Sequence, residues 1–370
     1  MRGGLLTCCI VYFLLFANGS SAMAAGGVAV TDIGKESGVS YRIDIPAHWN
    51  RDLIVFYHGY ATTALEFSER EKISPMFDPM LDEGYAVIQS GYSAGGWAVE
   101  QGYADTEGLR KHFVEKYGAP KRSFVMGMSM GGTLTAMTIE QRAEVYNGAL
   151  SLCGALEPSD RLVQRDLALR AAFDYYFPGL LGELVPVAAD YRPGEESERK
   201  IAVALASKPT AQQALMRWYG AADARNLTPV IDFAAFEIQE LQQCAHGNPV
   251  GNADMIYVGT GDDAALNDGV HRYRADANAA LYLARWYTPS GKLLKPFLAL
   301  HDTGDPLVPA SSASEYALLA SRAGHADNFV QQYVNREGHC VFTPKEIGHA
   351  FDELVEWTKS GKRPEPGKLK

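Results

Sequence analysis

Cysteine is scarce in this chain, with five in 370 residues, and neither a C-x-x-C nor an H-E-x-x-H spacing occurs. The usual metal-ligand patterns are therefore missing, and no metal or cofactor is expected. Basic charge is also short. Lys and Arg number 34 against 44 Asp and Glu, a formal net charge of -10, and no basic run is long enough to neutralise a phosphate backbone, which argues against nucleic acid as a partner. Beyond the N-terminal segment, no stretch free of charge reaches the ~20 residues that span a bilayer, and no internal repeat is found. What is present is ordinary for a packed protein: 47% hydrophobic and 11% aromatic side chains, with 36 Gly and 18 Pro. That composition excludes a collagen-like or low-complexity chain and predicts one large domain or two small ones.

The first 24 residues read as a secretory signal peptide. Arg2 supplies the positive start, residues 5–16 are mostly apolar, and Ser21-Ala22-Met23-Ala24 offers the small residues of a cleavage site. An uncleaved membrane anchor would need a longer apolar run. The mature protein is expected to be secreted or periplasmic, with no membrane in its mature form. Cys8 and Cys9 leave with the signal, and Cys153, Cys244 and Cys340 remain. An odd count in an oxidising compartment predicts one disulfide and one buried thiol.

Short apolar runs alternating with amphipathic stretches predict an α/β protein with a mostly parallel central sheet flanked by helices. Strands are expected at 41–46, 53–57, 85–89, 123–126, 148–152, 296–300 and 329–334. Helices are expected at 105–117, 130–145 and 344–359, the last introduced by Thr343-Pro344 as cap and first helical residue. Residues 155–292 carry helical patterns near 161–176, 199–207, 211–219, 229–243 and 275–287 without strands, and predict a helical insertion. The chain thus divides into a signal peptide (1–24), a first core part (25–154), a helical cap (155–292) and a second core part (293–370). The tail from 361 is expected to be frayed and solvated.

Each strand after the first runs into Gly, Ser, Asp or His at its carboxyl end, the edge where open α/β sheets bind ligands. There Gly127-Met128-Ser129-Met130-Gly131 forms a G-x-S-x-G turn between a buried strand and a helix. A serine hydroxyl attacks only when a base takes its proton and a third group orients that base. Downstream, His301-Asp302-Thr303-Gly304-Asp305-Pro306 follows one strand and Gly338-His339-Cys340 follows the last, in the order Ser, Asp, His. His58, His112 and His349 read as packed or solvated side chains. Backbone N-H groups of Met130, next to the serine, and Tyr60, after the third strand, are candidate donors to an oxyanion.

With these motifs the sequence resembles the α/β-hydrolase fold superfamily, in particular its secreted esterases and prolyl-oligopeptidase-like members, over residues 50–154 and 293–359. The resemblance implies that fold, with the helical cap inserted between strands 6 and 7. It also implies a catalytic triad of Ser129, Asp305 and His339, since the family's H-G-T-x-D-P-x-V-P segment aligns Asp305, and not Asp302, with the acid. Asp302 is expected to be a turn residue. Tyr60 at the second oxyanion position resembles cutinase-type and polyester-hydrolase sites, and a Tyr60 packed under the cap is the alternative. Trp97 reads either as a wall of the substrate site or as a packed aromatic. Cys340 beside the histidine is similar to tannases and feruloyl esterases, but Met128 stands where those have the partner cysteine, so a bridge would use Cys153 or Cys244.

The function implied is a secreted serine hydrolase acting on a small-molecule carboxylic ester. A peptidase or amidase on a short peptide, and a non-catalytic binding protein on the same fold, are the alternatives. The acyl and alcohol groups and the oligomeric state are left open.

Overall fold

In the computed structural model, residues 28–286 and 288–370 are described. The expected signal peptide, with Cys8 and Cys9, lies outside them. Nine strands form one sheet: β1 (Val28–Glu36), β2 (Val39–Pro46), β3 (Asp52–Tyr57), β4 (Ala86–Ser90), β5 (Arg122–Met128), β6 (Gly148–Leu152), β7 (Phe297–Gly304), β8 (Phe329–Glu337) and β9 (Gly367–Lys368). Their order is β1-β2-β4-β3-β5-β6-β7-β8-β9. Only β2 is antiparallel to its neighbours, and every pair from β4 to β9 is parallel.

Alternation along β3 explains why both faces are covered. Leu53, Val55 and Tyr57 enter one core with Leu109 and Phe113 of α2 (Val99–Tyr117) and Leu134 and Met137 of α3 (Met130–Gln141). Ile54 and Phe56 enter the other, with Met80 and Leu81 of α1 (Asp78–Asp82) and Ile347, Phe351 and Leu354 of α11 (Pro344–Ser360). A continuous apolar strand with side chains pointing alternately to each face needs helices on both. The last helix starts as its sequence indicates: Thr343 Oγ1 accepts from the Glu346 N-H, and the Glu346 carboxylate accepts from the Thr343 N-H, a capping box.

Six helices lie between β6 and β7 among the described residues: α4 (Ser159–Tyr176), α5 (Glu195–Ser207), α6 (Pro209–Tyr219), α7 (Ala224–Cys244), α8 (Asp263–Gly269) and α9 (Ala277–Trp286). α7 begins five residues before the expected start. The Asp223 side chain caps it by accepting from the Arg225 N-H, so Pro229 sits inside the helix and does not open it. A further helix, α10 (Ser311–Arg322), follows β7 and buries Ala313, Tyr316 and Ala320. The sequence reading left that segment unassigned.

Two expectations are corrected. β1 was not read as a strand, because as an edge strand it buries no full face; it pairs with β2 through a two-residue turn at Ser37-Gly38, both at positive φ. The tail is not frayed. β9 pairs with β8, the Leu369 N-H donates to Tyr333 O at 2.9 Å, and the Leu369 side chain is 8% exposed in the second core.

Candidate active site

The turn at Ser129 is built by close approach. Ser129 has φ 58° and ψ -123°, a region costly for a residue with a Cβ. A Cβ on Gly127 would lie 2.1 Å from Gly131 O, and one on Gly131 would lie 2.1 Å from Tyr57 O, so no side chain fits at either. A serine before a helix commonly caps it, but the Ser129 hydroxyl makes no cap bond to α3 and points elsewhere.

It points to His339. Ser129 Oγ donates to His339 Nε2 at 2.8 Å, and His339 Nδ1 donates to Asp305 Oδ2 at 2.7 Å. A carboxylate can only accept, so the proton sits on Nδ1 and Nε2 is the free base. The other Asp305 oxygen accepts from the Leu307 and Val308 N-H groups, both at 2.9 Å. The Asp305 side chain is fully buried. These three bonds fix its plane and orient the imidazole, the role such a carboxylate plays beside a base.

Asp302 stands apart. It is fully buried, and burial together with the Asp305 charge pushes its carboxyl up to about 7. It is a buried side chain at the start of a turn, where the Asp302 carbonyl accepts from the Asp305 N-H at 3.3 Å. His301 was quoted in the motif but given no role. Its Nε2 donates to Val308 O at 2.8 Å, and burial lowers its pKa, so the neutral ring braces the turn that supplies two of the donors to Asp305. Its place directly before Asp302 in the motif was the available signal.

Cys153, at φ 46° just after β6, is bonded to Cys340, at φ 58° just after His339, closing a separation of 187 residues. The Cys340 sulfur lies 3.3 Å from His339 Nε2. Cys244 is the free thiol and is exposed, not buried as expected. Cys153, His339 and Cys340 are also the sole grouping of metal-ligating atoms found among the described residues, and two of the three are joined to each other.

Tyr60 and Met130 flank the serine. Met130 is the first residue of α3 and is buried. A Cβ on Gly59 would lie 3.2 Å from the Ser129 Cβ, so the loop carrying Tyr60 rests against the serine. The Tyr60 hydroxyl donates to Glu240 of α7, and its ring meets Phe233 edge-on at 5.0 Å. Trp97 is 7% exposed within the first core, which is the packed alternative for this residue. His58 stacks on Tyr92 at 3.7 Å, and burial lowers its pKa to about 4, so it is a packed neutral ring.

The order of strands and the chain order of Ser129, Asp305 and His339 at the ends of β5, β7 and β8 are those of the α/β-hydrolase fold. No family model matches the chain. The chain is similar to the o-phthalyl amidase of Xanthobacter agilis, 22% identical over an alignment that covers 88% of this chain and 86% of that protein. Among solved structures, an esterase of Pyrococcus furiosus superposes with a TM-score of 0.45 at 13% identity, covering 88% of this chain and 89% of that one. The rice cell wall degrading esterase of Xanthomonas oryzae gives 0.44 at 16%, covering 87% and 86%. At those scores the fold rests on this chain's own sheet order.

Proposed function

We propose that this protein is an exported serine hydrolase that cleaves carboxylic esters through an acyl-enzyme on Ser129. The observation that carries the proposal is the continuous relay from Ser129 Oγ through His339 to Asp305. Ser129 Oγ attacks the ester carbonyl as His339 Nε2 takes its proton, and the Asp305 carboxylate stabilises the imidazolium. The carbonyl oxygen becomes an oxyanion that accepts from the N-H groups of Tyr60 and Met130. Collapse expels the alcohol, which leaves with the proton from Nε2. A water then repeats the sequence on the acyl-enzyme, with His339 again taking and returning the proton. The Cys153–Cys340 disulfide supports export to an oxidising compartment.

Amide cleavage is the second reading, favoured by the similarity to an amidase; the same relay would protonate a leaving amine. Parallel turnover of matched aryl esters and aryl amides decides between them. Failure of a fluorophosphonate to label wild-type protein at Ser129, with Ser129→Ala as the blank, would remove both readings and leave a binding protein on this fold.

A further inference from the structure

We infer that Glu240, on α7, is a positioning residue for the oxyanion-binding loop, acting through the Tyr60 side chain to fix the Tyr60 backbone N-H against the developing charge. The inference rests on the hydrolase reading above and extends its site into the helical segment between β6 and β7.

An oxyanion donor works only if its peptide plane is held in advance, since a misplacement of about 1 Å can cost roughly a hundredfold in rate. Three contacts hold the plane that contains the Tyr60 N-H. A Cβ on Gly59 would lie 3.2 Å from both Met128 O and the Ser129 Cβ, so the loop packs closely on the serine turn. Ala61 O accepts from the Gly96 N-H at 2.8 Å, which clips the loop after β3 to the loop after β4. The third contact is the Tyr60 side chain, whose hydroxyl donates to Glu240 Oε2.

That third contact is built by a single face of α7. Phe233, Phe236 and Glu240 recur at the i, i+3, i+7 spacing that aligns side chains on a helix. The two rings meet Tyr60 edge-on at 5.0 and 6.2 Å. The Glu240 carboxylate is also wedged against the neighbouring loop, because a Cβ on Gly96 would fall 2.1 Å from its Oε2. It therefore touches both the loop after β3 and the loop after β4. Burial raises the Glu240 carboxyl, and the bond from Tyr60 pulls it back down, so the carboxylate form gains from this partner. The oxyanion donor in the loop after β3 is thus set by a side chain of the segment between β6 and β7.

The test measures steady-state kinetics on a short aryl ester, together with affinity for an aryl trifluoromethyl ketone, which forms a tetrahedral adduct with the serine. The variants are Tyr60→Phe, Glu240→Ala, their combination, and Glu240→Gln. The first two are expected to lower kcat about tenfold or more with KM within twofold, and to weaken the ketone in step with kcat. The double variant is expected to be no worse than either single, and Glu240→Gln, whose amide oxygen still accepts from the hydroxyl, to recover most of the rate. Tyr60→Phe keeps the ring packing and guards against a fold-wide effect in Glu240→Ala. A kcat within twofold of wild type in Tyr60→Phe, losses that multiply in the double variant, or an effect confined to KM would overturn the inference. Wild-type protein labelled at Ser129 by a fluorophosphonate, with all variants turning over normally, sinks the positioning role alone. Unlabelled wild-type protein sinks the hydrolase reading and this inference with it.

Discussion

Two aspartates three residues apart occupy opposite situations. Asp305 meets three donors and faces the base, whereas Asp302 is buried where its charge is costly. Asp305→Asn is expected to lower kcat by about 10⁴-fold, because an amide no longer selects the productive imidazole tautomer, while Asp302→Asn stays within an order of magnitude. Measured kcat for the two variants checks the ranking, and the opposite ranking would move the acid to Asp302. Asp302 also gives a pH signature. Its carboxyl titrates at about 7 when folded against 3.8 as the ordinary value, so the folded state binds the extra proton between those values. The sign follows: Asp302 costs nothing below pH 4, and its cost grows as pH rises and levels off above about 7. The melting temperature of Asp302→Asn minus that of wild type is expected to increase over that window. A difference that is flat above pH 5 would show that Asp302 keeps its ordinary acidity.

At the scale of elements, the site depends on where strands end and what joins the ends. β5, β7 and β8 deliver Ser129, Asp305 and His339 from separate parts of the chain, and the disulfide ties the end of β6 to the histidine turn. A closed loop of this length removes substantial entropy from the unfolded chain, and loss of such bridges typically costs 2–5 kcal/mol. Cys153→Ala/Cys340→Ala is expected to lose ~2–5 kcal/mol in denaturant unfolding under non-reducing conditions. An unchanged midpoint and slope would show that the bridge adds nothing to stability.

At the scale of the whole molecule, the helices between β6 and β7 have a core of their own that merges with the first sheet core. Phe173 and Tyr176 are buried in it, the Phe173 and Phe177 rings lie 5.0 Å apart, and Trp218 packs on Tyr257 at 5.3 Å. These aromatics hold the segment together. Phe173→Ala is expected to cost ~3–5 kcal/mol of stability and to leave the preference between a short and a bulky ester unchanged. Phe233, half-buried against Tyr60, is the contrasting position. Phe233→Ala is expected to shift the ratio of kcat/KM between those esters by about 1–3 kcal/mol. Equal losses on both substrates at Phe233 would assign it to packing.

The sequence by itself determined the α/β class, the buried strands, and the serine turn with its downstream Asp and His, because each is a local pattern. Apolar runs mark strands buried on both faces, and glycines at Gly127 and Gly131 mark a turn too tight for a Cβ. Edge strand β1 and tail strand β9 were missed for the same reason, since an edge strand shows no buried periodicity and β9 is stabilised only by a neighbour distant in sequence. The tertiary structure alone decided which cysteine pairs with Cys340, that the thiol left over is exposed, and that Asp302 is buried. It also brought Glu240 to Tyr60 across 180 residues. Those outcomes depend on which chain ends the sheet order places side by side, and no window of sequence contains both partners.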